Sequence, residues 1–175
     1  MKISIIGYSG AGKSTLAKRL RAIYNIDILH LDRINYIADW QERDLLEAKQ
    51  LFNDFLKKDN WIIEGNFQKL NHDRRFKESD TIIFLDFPMP ICLYRAFKRF
   101  LKYRNKNRDD AGDNCKDDFN FAFFWWIVFE GRTKKYRQRY QEIINKYQEK
   151  MIILKSPEAV EAYINQISNH KPENL

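Results

Sequence analysis

The sequence predicts a three-layer α/β/α domain built on a five-stranded parallel sheet, and three observations predict it. Five short apolar runs alternate with helical stretches, a pattern that makes a parallel sheet covered on both faces. The first run leads directly into Gly7-Tyr8-Ser9-Gly10-Ala11-Gly12-Lys13-Ser14, which satisfies G-x-x-x-x-G-K-[ST], and a helical pattern follows it. The chain has 175 residues, enough for one substantial core and too few for two, so a single domain over 1–175 is expected.

Each element follows from its residues. Lys2-Ile3-Ser4-Ile5-Ile6 is a β-branched run that reads as a buried strand. After the glycine loop, Leu16, Ala17, Leu20 and Ile23 recur at the helical period. A second strand over 26–31 ends at Asp32, and 42–58 forms an amphipathic helix with Leu45, Ala48, Phe52 and Phe55 on one face. Trp61-Ile62-Ile63 is the third strand and runs into Glu64-Gly65-Asn66. A polar segment with Arg74 and Arg75 leads to the fourth strand, 81–85, which ends at Asp86. Pro88 and Pro90 punctuate the entry to another helix. Through 93–103 that helix places Arg95, Arg99 and Lys102 on one face, with Leu93, Phe97 and Phe100 opposite as the core side. The fifth strand is 151–154. Ser156-Pro157-Glu158 then supplies an N-cap, a first-position proline and a first-turn acid for the last helix. Residues 169–175 read as a frayed tail.

The glycine loop carries the clearest chemistry. Gly7, Gly10 and Gly12 let the backbone turn tightly, so that N–H groups along Ser9, Ala11 and Thr15 approach phosphate oxygens. The following helix adds its N-terminal partial positive charge. Lys13 is expected to reach the β/γ-phosphates of ATP, and the Ser14 hydroxyl to ligate Mg²⁺. In an open parallel sheet, ligands collect beyond the carboxyl ends of the strands. The loop, Asp32, Glu64 and Asp86 all fall at that edge, which makes them one candidate site.

Composition narrows the function classes. Cys92 and Cys115 form no C-x-x-C pair, which argues against a zinc site or disulfide framework and fits a reducing, cytoplasmic setting. The chain enters a strand at once, so no signal peptide is expected. The longest nearly apolar stretch, 119–129, is too short to span a bilayer. A net charge of +7 favours anionic partners, a condition that nucleotides meet as well as DNA does. Between strands four and five, seven basic side chains over 95–108 give way to Asp109, Asp110, Asp113, Asp117 and Asp118. An aromatic run over 121–127 and a second basic group from Arg132 to Arg139 follow. The aromatic run is expected to pack on the core.

Six stretches together carry a family resemblance: GYSGAGKST, His30-Leu31-Asp32, WIIEGNF at 61–67, DTIIFLDFP at 80–88, CLYRAFKRFLKYR at 92–104 and ILKSP at 153–157. With them the chain resembles the DNA topology modulation protein family, FlaR-like members of the adenylate-kinase-related P-loop NTPase group. The resemblance implies a nucleoside-kinase-like fold with sheet order 2-3-1-4-5 and a helical lid over 104–131. It implies that Asp32 holds a Mg²⁺-bound water or accepts the acceptor's proton, and that Glu64 meets Mg²⁺ through water. It implies that Arg95 and Arg99 neutralise the transferring phosphoryl group, and that the 156–157 loop passes the adenine. Glu64-Gly65-Asn66-Phe67-Gln68 departs from the Asp-Gly-Phe-Pro-Arg of adenylate-kinase-like enzymes, which argues against AMP as acceptor.

The leading expectation is an ATP-dependent, Mg²⁺-requiring phosphotransferase acting on a small-molecule acceptor, as monomer or homodimer and without a membrane partner. Lys13, Asp32, Arg95 and Arg99 are the candidate catalytic residues, and Ser14, Asp32 and Glu64 the metal-side residues. Arg132 or a neighbour is a further candidate lid arginine, and Arg74 and Arg75 are candidates for gripping an anionic acceptor. His30 is expected to be buried or turn-lining. Two alternatives are a nucleotide-dependent DNA-binding regulator, although no helix-turn-helix, zinc finger or basic tail is present, and a degenerate kinase that senses ATP.

Overall fold

The computed structural model describes residues 1–67, 69–70, 72–103 and 119–169. The apolar runs pair as their alternation with helices predicts. Strands β1 (Lys2–Gly7), β2 (Ile28–His30), β3 (Trp61–Glu64), β4 (Thr81–Leu85) and β5 (Met151–Leu154) form one sheet ordered β2-β3-β1-β4-β5. All four pairings are parallel, with Ile5 of β1 opposite both Glu64 of β3 and Ile83 of β4. Alternate residues of β3 serve different clusters. Ile62 joins the core with β1, β4 and the first helix, while Trp61 and Ile63 pack with Leu31, Phe52, Leu56 and Leu70. The two-residue period of a strand dictates that split.

Among the described residues the α-helices are α1 (Lys13–Tyr24), α2 (Leu31–Asn35), α3 (Leu45–Leu56), α4 (His72–Glu78), α5 (Met89–Tyr103), α6 (Phe121–Val128), α7 (Lys134–Lys146) and α8 (Pro157–Asn169). Helix α8 starts where its cap signal lies, with the Ala159 N–H donating to Ser156 Oγ at 3.2 Å. Helix α3 begins later than expected because Asp44 is its cap. The Asp44 carboxylate accepts from the N–H groups of Leu46 and Glu47 at 2.9 and 3.1 Å. Its buried stripe is Ala48, Phe52 and Leu56, leaving Leu45 exposed and Phe55 at the margin.

Three expectations change. The second strand stops at His30, so Asp32 stands on the short α2 rather than at a strand end. The polar segment before β4 folds as α4, which buries Arg75 and Phe76. The core side of α5 is Cys92 and Ala96, whereas Phe97 is 45% exposed. Close approach explains this last change: a Cβ on Gly10 would lie 2.3 Å from the Cys92 carbonyl oxygen, so only small residues fit on that face. The displaced aromatics instead meet Phe119, with Phe97 and Phe119 ring centroids 5.4 Å apart.

Of the expected lid, 104–118 lies outside the described residues, as do the acidic stretch and Cys115. The rest forms α6 and a 3-10 turn at Glu130–Arg132. Helix α6 packs on the core through Ile127 and Phe123, while Phe121 stays 74% exposed. The aromatic run is therefore core on one side only. The expected tail beyond Asn169 also lies outside the described residues. No helix among the described residues is long and apolar enough to cross a membrane.

Phe52 is wholly buried and Leu46, on the same helix, is 75% exposed. Phe52→Ala is expected to cost about 3–5 kcal/mol, and Leu46→Ala less than about 0.5 kcal/mol. Urea unfolding midpoints of the two variants provide the check.

Candidate functional site

The site begins where β1 ends and α1 begins. Gly10 and Gly12 adopt φ of +82° and +97°, a left-handed backbone that side-chain-bearing residues rarely take. An added Cβ on Gly12 would meet Arg95 Nη2 at 2.9 Å, a contact that the flexible guanidinium can relieve by shifting, so the backbone angle is what calls for glycine there. Arg95 of α5 is thus laid directly against the loop.

The loop's start is pinned from β3. Asn66 Nδ2 donates to the Gly7 carbonyl at 2.7 Å, and the Gly7 N–H donates to Asn66 Oδ1 at 3.2 Å. Lys13 Nζ donates to the carbonyls of Gly7 and Tyr8 at 3.1 and 3.2 Å. Ser14 Oγ donates to Glu64 Oε1 at 3.1 Å, and His30 Nδ1 lies 2.7 Å from the same oxygen. Glu64 is buried, and His30 is its partner. Ser9 Oγ accepts from the Trp126 indole N–H of α6 at 3.2 Å.

Desolvation lowers the Lys13 pKa, opposed by the Glu64 and Asp32 carboxylates and reinforced by the Arg99 guanidinium. Lys13, Asp32, Glu64, Arg95 and Arg99 all line one open cleft of about 1030 Å³. The loop residues Ser9, Gly10, Gly12, Ser14 and Thr15 form its floor, while Gly7 and Ala11 are buried beneath it. The candidates named from sequence therefore converge on one cavity.

Other candidates lie elsewhere. Arg132 stacks its guanidinium 3.9 Å above the Tyr8 ring and donates to the Phe87 carbonyl at 2.9 Å, so it braces the back of the loop. Arg74 is an exposed partner of Glu78 on the same helix. Arg75 is only 1% exposed and donates from Nη1 to the Gly65 carbonyl at 3.2 Å, a buried position at odds with a surface grip. Asp86 extends the β4–β5 pairing through its N–H, bonded to the Leu154 carbonyl at 2.9 Å.

Several cleft residues escaped the sequence reading. Tyr36, Trp40 and Phe67 form an aromatic wall, with the Tyr36 and Trp40 rings edge to face at 5.4 Å. Arg139 of α7 lines the cleft and places Nη2 2.9 Å from His72 Nε2 and 3.4 Å from the Asn66 carbonyl oxygen. Asn66 stood in a recognised stretch, but nothing in its spacing revealed the pairing with Gly7. Arg139 was one basic residue among several.

The donor set suits Mg²⁺. The Ser14 hydroxyl and the Glu64 carboxylate are hard oxygen donors side by side, and Mg²⁺ typically takes one or two protein oxygens plus water and substrate phosphates. Among the described residues no cluster of three or more His, Cys, Asp or Glu could hold a metal unaided.

No known family profile matches the chain, and no curated protein does. Solved structures share its fold. Deoxyadenosine kinase from M. mycoides, solved with the products dCMP and a flexible dCDP, aligns with a TM-score of 0.57 at 16% identity, covering 97% of each chain. Shikimate kinase from Bacteroides thetaiotaomicron gives 0.52 at 15% identity, covering 97% of this chain and 96% of its own. Shikimate kinase from Acinetobacter baumannii, bound to shikimate, gives 0.50 at 15% identity over 98% and 95%. The chain has the P-loop kinase-like fold.

His72 generates a pH prediction. Burial, then the Arg75 and Arg139 charges, push its pKa from 6.5 down to about 2. The unfolded chain gains a proton near pH 6.5 that the folded chain refuses, so stability is full above that pH and declines as pH falls towards 2. His72→Gln is expected to flatten the fall below pH 6.5 in denaturation midpoints measured from pH 7.5 to 5.

Proposed function

We propose that the chain is a phosphotransferase that moves the γ-phosphoryl group of ATP to a small acceptor in this cleft. One observation carries the reading: the Lys13 ammonium, the Ser14–Glu64 oxygen pair and the Arg95 guanidinium surround a single glycine loop. A loop that served only to turn the chain has no need of that set.

The roles follow from charge. Mg²⁺-ATP, when bound, supplies the transferable group and neutralises part of its charge. Lys13 exchanges its two carbonyl partners for phosphate oxygens, gaining a charged partner for a desolvated ammonium. Ser14 and Glu64 would hold the metal, with His30 keeping the Glu64 carboxylate turned towards Ser14. Arg95 and Arg99 balance negative charge on the phosphoryl group during transfer, part of the electrostatic stabilisation on which this reaction class depends. Asp32 faces the same cleft and accepts the acceptor hydroxyl's proton or orients metal-bound water. Helix α6, tied to Ser9 through Trp126, covers the loop and limits wasteful hydrolysis.

The resemblance to the DNA topology modulation family belongs to this same reading. Of the basic groups 95–108 and 132–139 that a DNA-binding role would use, Arg95, Arg99 and Arg139 line the cleft, while Lys98, Lys102, Lys134 and Arg137 are exposed. The three arginines in the cleft supply the cationic lining that a small anionic substrate requires.

The experiment is a screen of nucleosides, nucleotides and small hydroxy acids with Mg²⁺-ATP, reading ADP release. Lys13→Ala is expected to lower the rate about 10²–10³-fold, and Arg95→Ala about 10²-fold. Tight ATP binding with no Lys13-dependent ADP from any acceptor makes the chain an ATP sensor instead. Failure to bind ATP at all ends the proposal.

A further inference from the structure

The two carbonyl oxygens that hold Lys13 are each held by a second donor as well. Lys13 Nζ donates to Gly7 at 3.1 Å and to Tyr8 at 3.2 Å. The Tyr8 carbonyl also accepts from the Ala11 N–H at 3.1 Å, from inside the glycine loop. The Gly7 carbonyl also accepts from Asn66 Nδ2 at 2.7 Å, from outside it. A carbonyl oxygen has two lone pairs, so each oxygen is saturated while Lys13 rests on it and keeps one partner when Lys13 leaves. Gly7 and Tyr8 are both buried, and a buried acceptor stripped of its partner costs far more than one bond exchanged for another.

Asn66 does this by standing in for main chain. The register of β1 with β3 ends at Ile5 and Glu64, and the Ile5 carbonyl accepts one further main-chain bond from the Gly65 N–H at 3.1 Å. Gly7, two residues on, turns its peptide groups towards the same neighbour. By then β3 has ended, and Gly65 lies at φ of +125°. The Asn66 side chain supplies the next rung. Its amide carries an acceptor oxygen and N–H donors side by side, as a peptide link does. Oδ1 accepts from the Gly7 N–H at 3.2 Å while Nδ2 donates to the Gly7 carbonyl.

We propose that Asn66 is a positioning residue that releases Lys13 to an incoming phosphate. By keeping the Gly7 carbonyl bonded, it lets the ammonium move to a phosphate oxygen without leaving a bare acceptor behind. It also holds the start of the loop in place during that exchange. Ala11 does the same for the Tyr8 carbonyl, but through the loop's own backbone, so Asn66 is the side chain on which the exchange depends. The role deepens the phosphotransferase reading and rests on it for ATP as the incoming group. It is independent of what the acceptor is.

The test is a double-mutant cycle on the full chain, with Mg²⁺-ATP affinity read by calorimetry and titrated far enough that weakened binding is still measured. Asn66→Leu matches the side chain in shape and removes both bonds to Gly7, and it is expected to weaken ATP about tenfold. Asn66→Ala leaves room for a water to donate to the Gly7 carbonyl, so its loss is expected to be smaller, about threefold. In a Lys13→Ala background no ammonium has to leave, and both losses are expected to shrink below about twofold. An asparagine that only braces the fold gives the opposite pattern. Alanine is then the worse substitution because it leaves a gap, and the loss is the same with and without Lys13. Urea midpoints show that each variant is folded in the assay, and where one is not, the other carries the cycle. If Lys13→Ala abolishes ATP binding, the order of the leucine and alanine losses decides. A loss that persists in full without Lys13, or an alanine loss that exceeds the leucine loss, overturns the proposal. Parent affinity in both Asn66 variants sinks this role and leaves the phosphotransferase reading standing. The expected cycle with no ADP released to any acceptor sinks that reading and leaves the role of Asn66 standing.

Discussion

The pairing of β1 with β3 is the constraint on which the site depends. Ile5 stands opposite Glu64 in that register, and two consequences follow within three residues. Glu64 emerges beneath Ser14, and Asn66 reaches Gly7 to bond both its N–H and its carbonyl. A slip of one residue would turn Glu64 to the other face of the sheet and bring Ile63 under the loop. The apolar residues that fix the register, Ile3, Ile5, Ile62 and Ile63, are therefore as necessary to the site as the polar residues they deliver. Their near-complete burial on both faces leaves the strands no alternative pairing that keeps them dry.

A second constraint acts from above the sheet. Helix α5 approaches the loop so closely at Cys92 that glycine at 10 is a steric requirement as well as a conformational one, whereas glycine at 12 is required by its backbone angle. The closeness selects Cys92 and Ala96 for the contact face, and by the helical period it carries Arg95 to the loop. Arg132 then closes the back, spanning Phe87, Cys92 and Tyr8. The loop is held by groups from β3, α5 and α6, and by the turn before α7.

Much of this was legible in the sequence, and the remainder was not for identifiable reasons. The strands and the glycine loop are local signals, carried by runs of β-branched residues and by a fixed spacing. Glu64 and Asp32 were readable as acids near the ends of apolar runs, although His30 had already ended its strand before Asp32. Helix α5 has two sides that are both partly apolar, and only the nearness of Gly10 decides that Cys92 and Ala96 face inward. Arg74 and Arg75 show the limit most clearly. They are identical and adjacent, yet one is solvated and the other sealed, because α4 docks on one side. Arg139 joins the cleft from more than seventy residues beyond β3, a distance over which periodicity says nothing.

Two serine hydroxyls and the ammonium of the phosphate loop are already engaged within the protein: Ser9 with Trp126, Ser14 with Glu64, and Lys13 with two carbonyls. Entry of a ligand therefore trades one set of hydrogen bonds for another, and a traded bond contributes little to net affinity. Hydrogen-bond count is then a poor discriminator among phosphate-bearing molecules at this loop. Discrimination passes to the quantities the trade leaves unbalanced, namely total charge and the fit of the ligand's outline to the cleft.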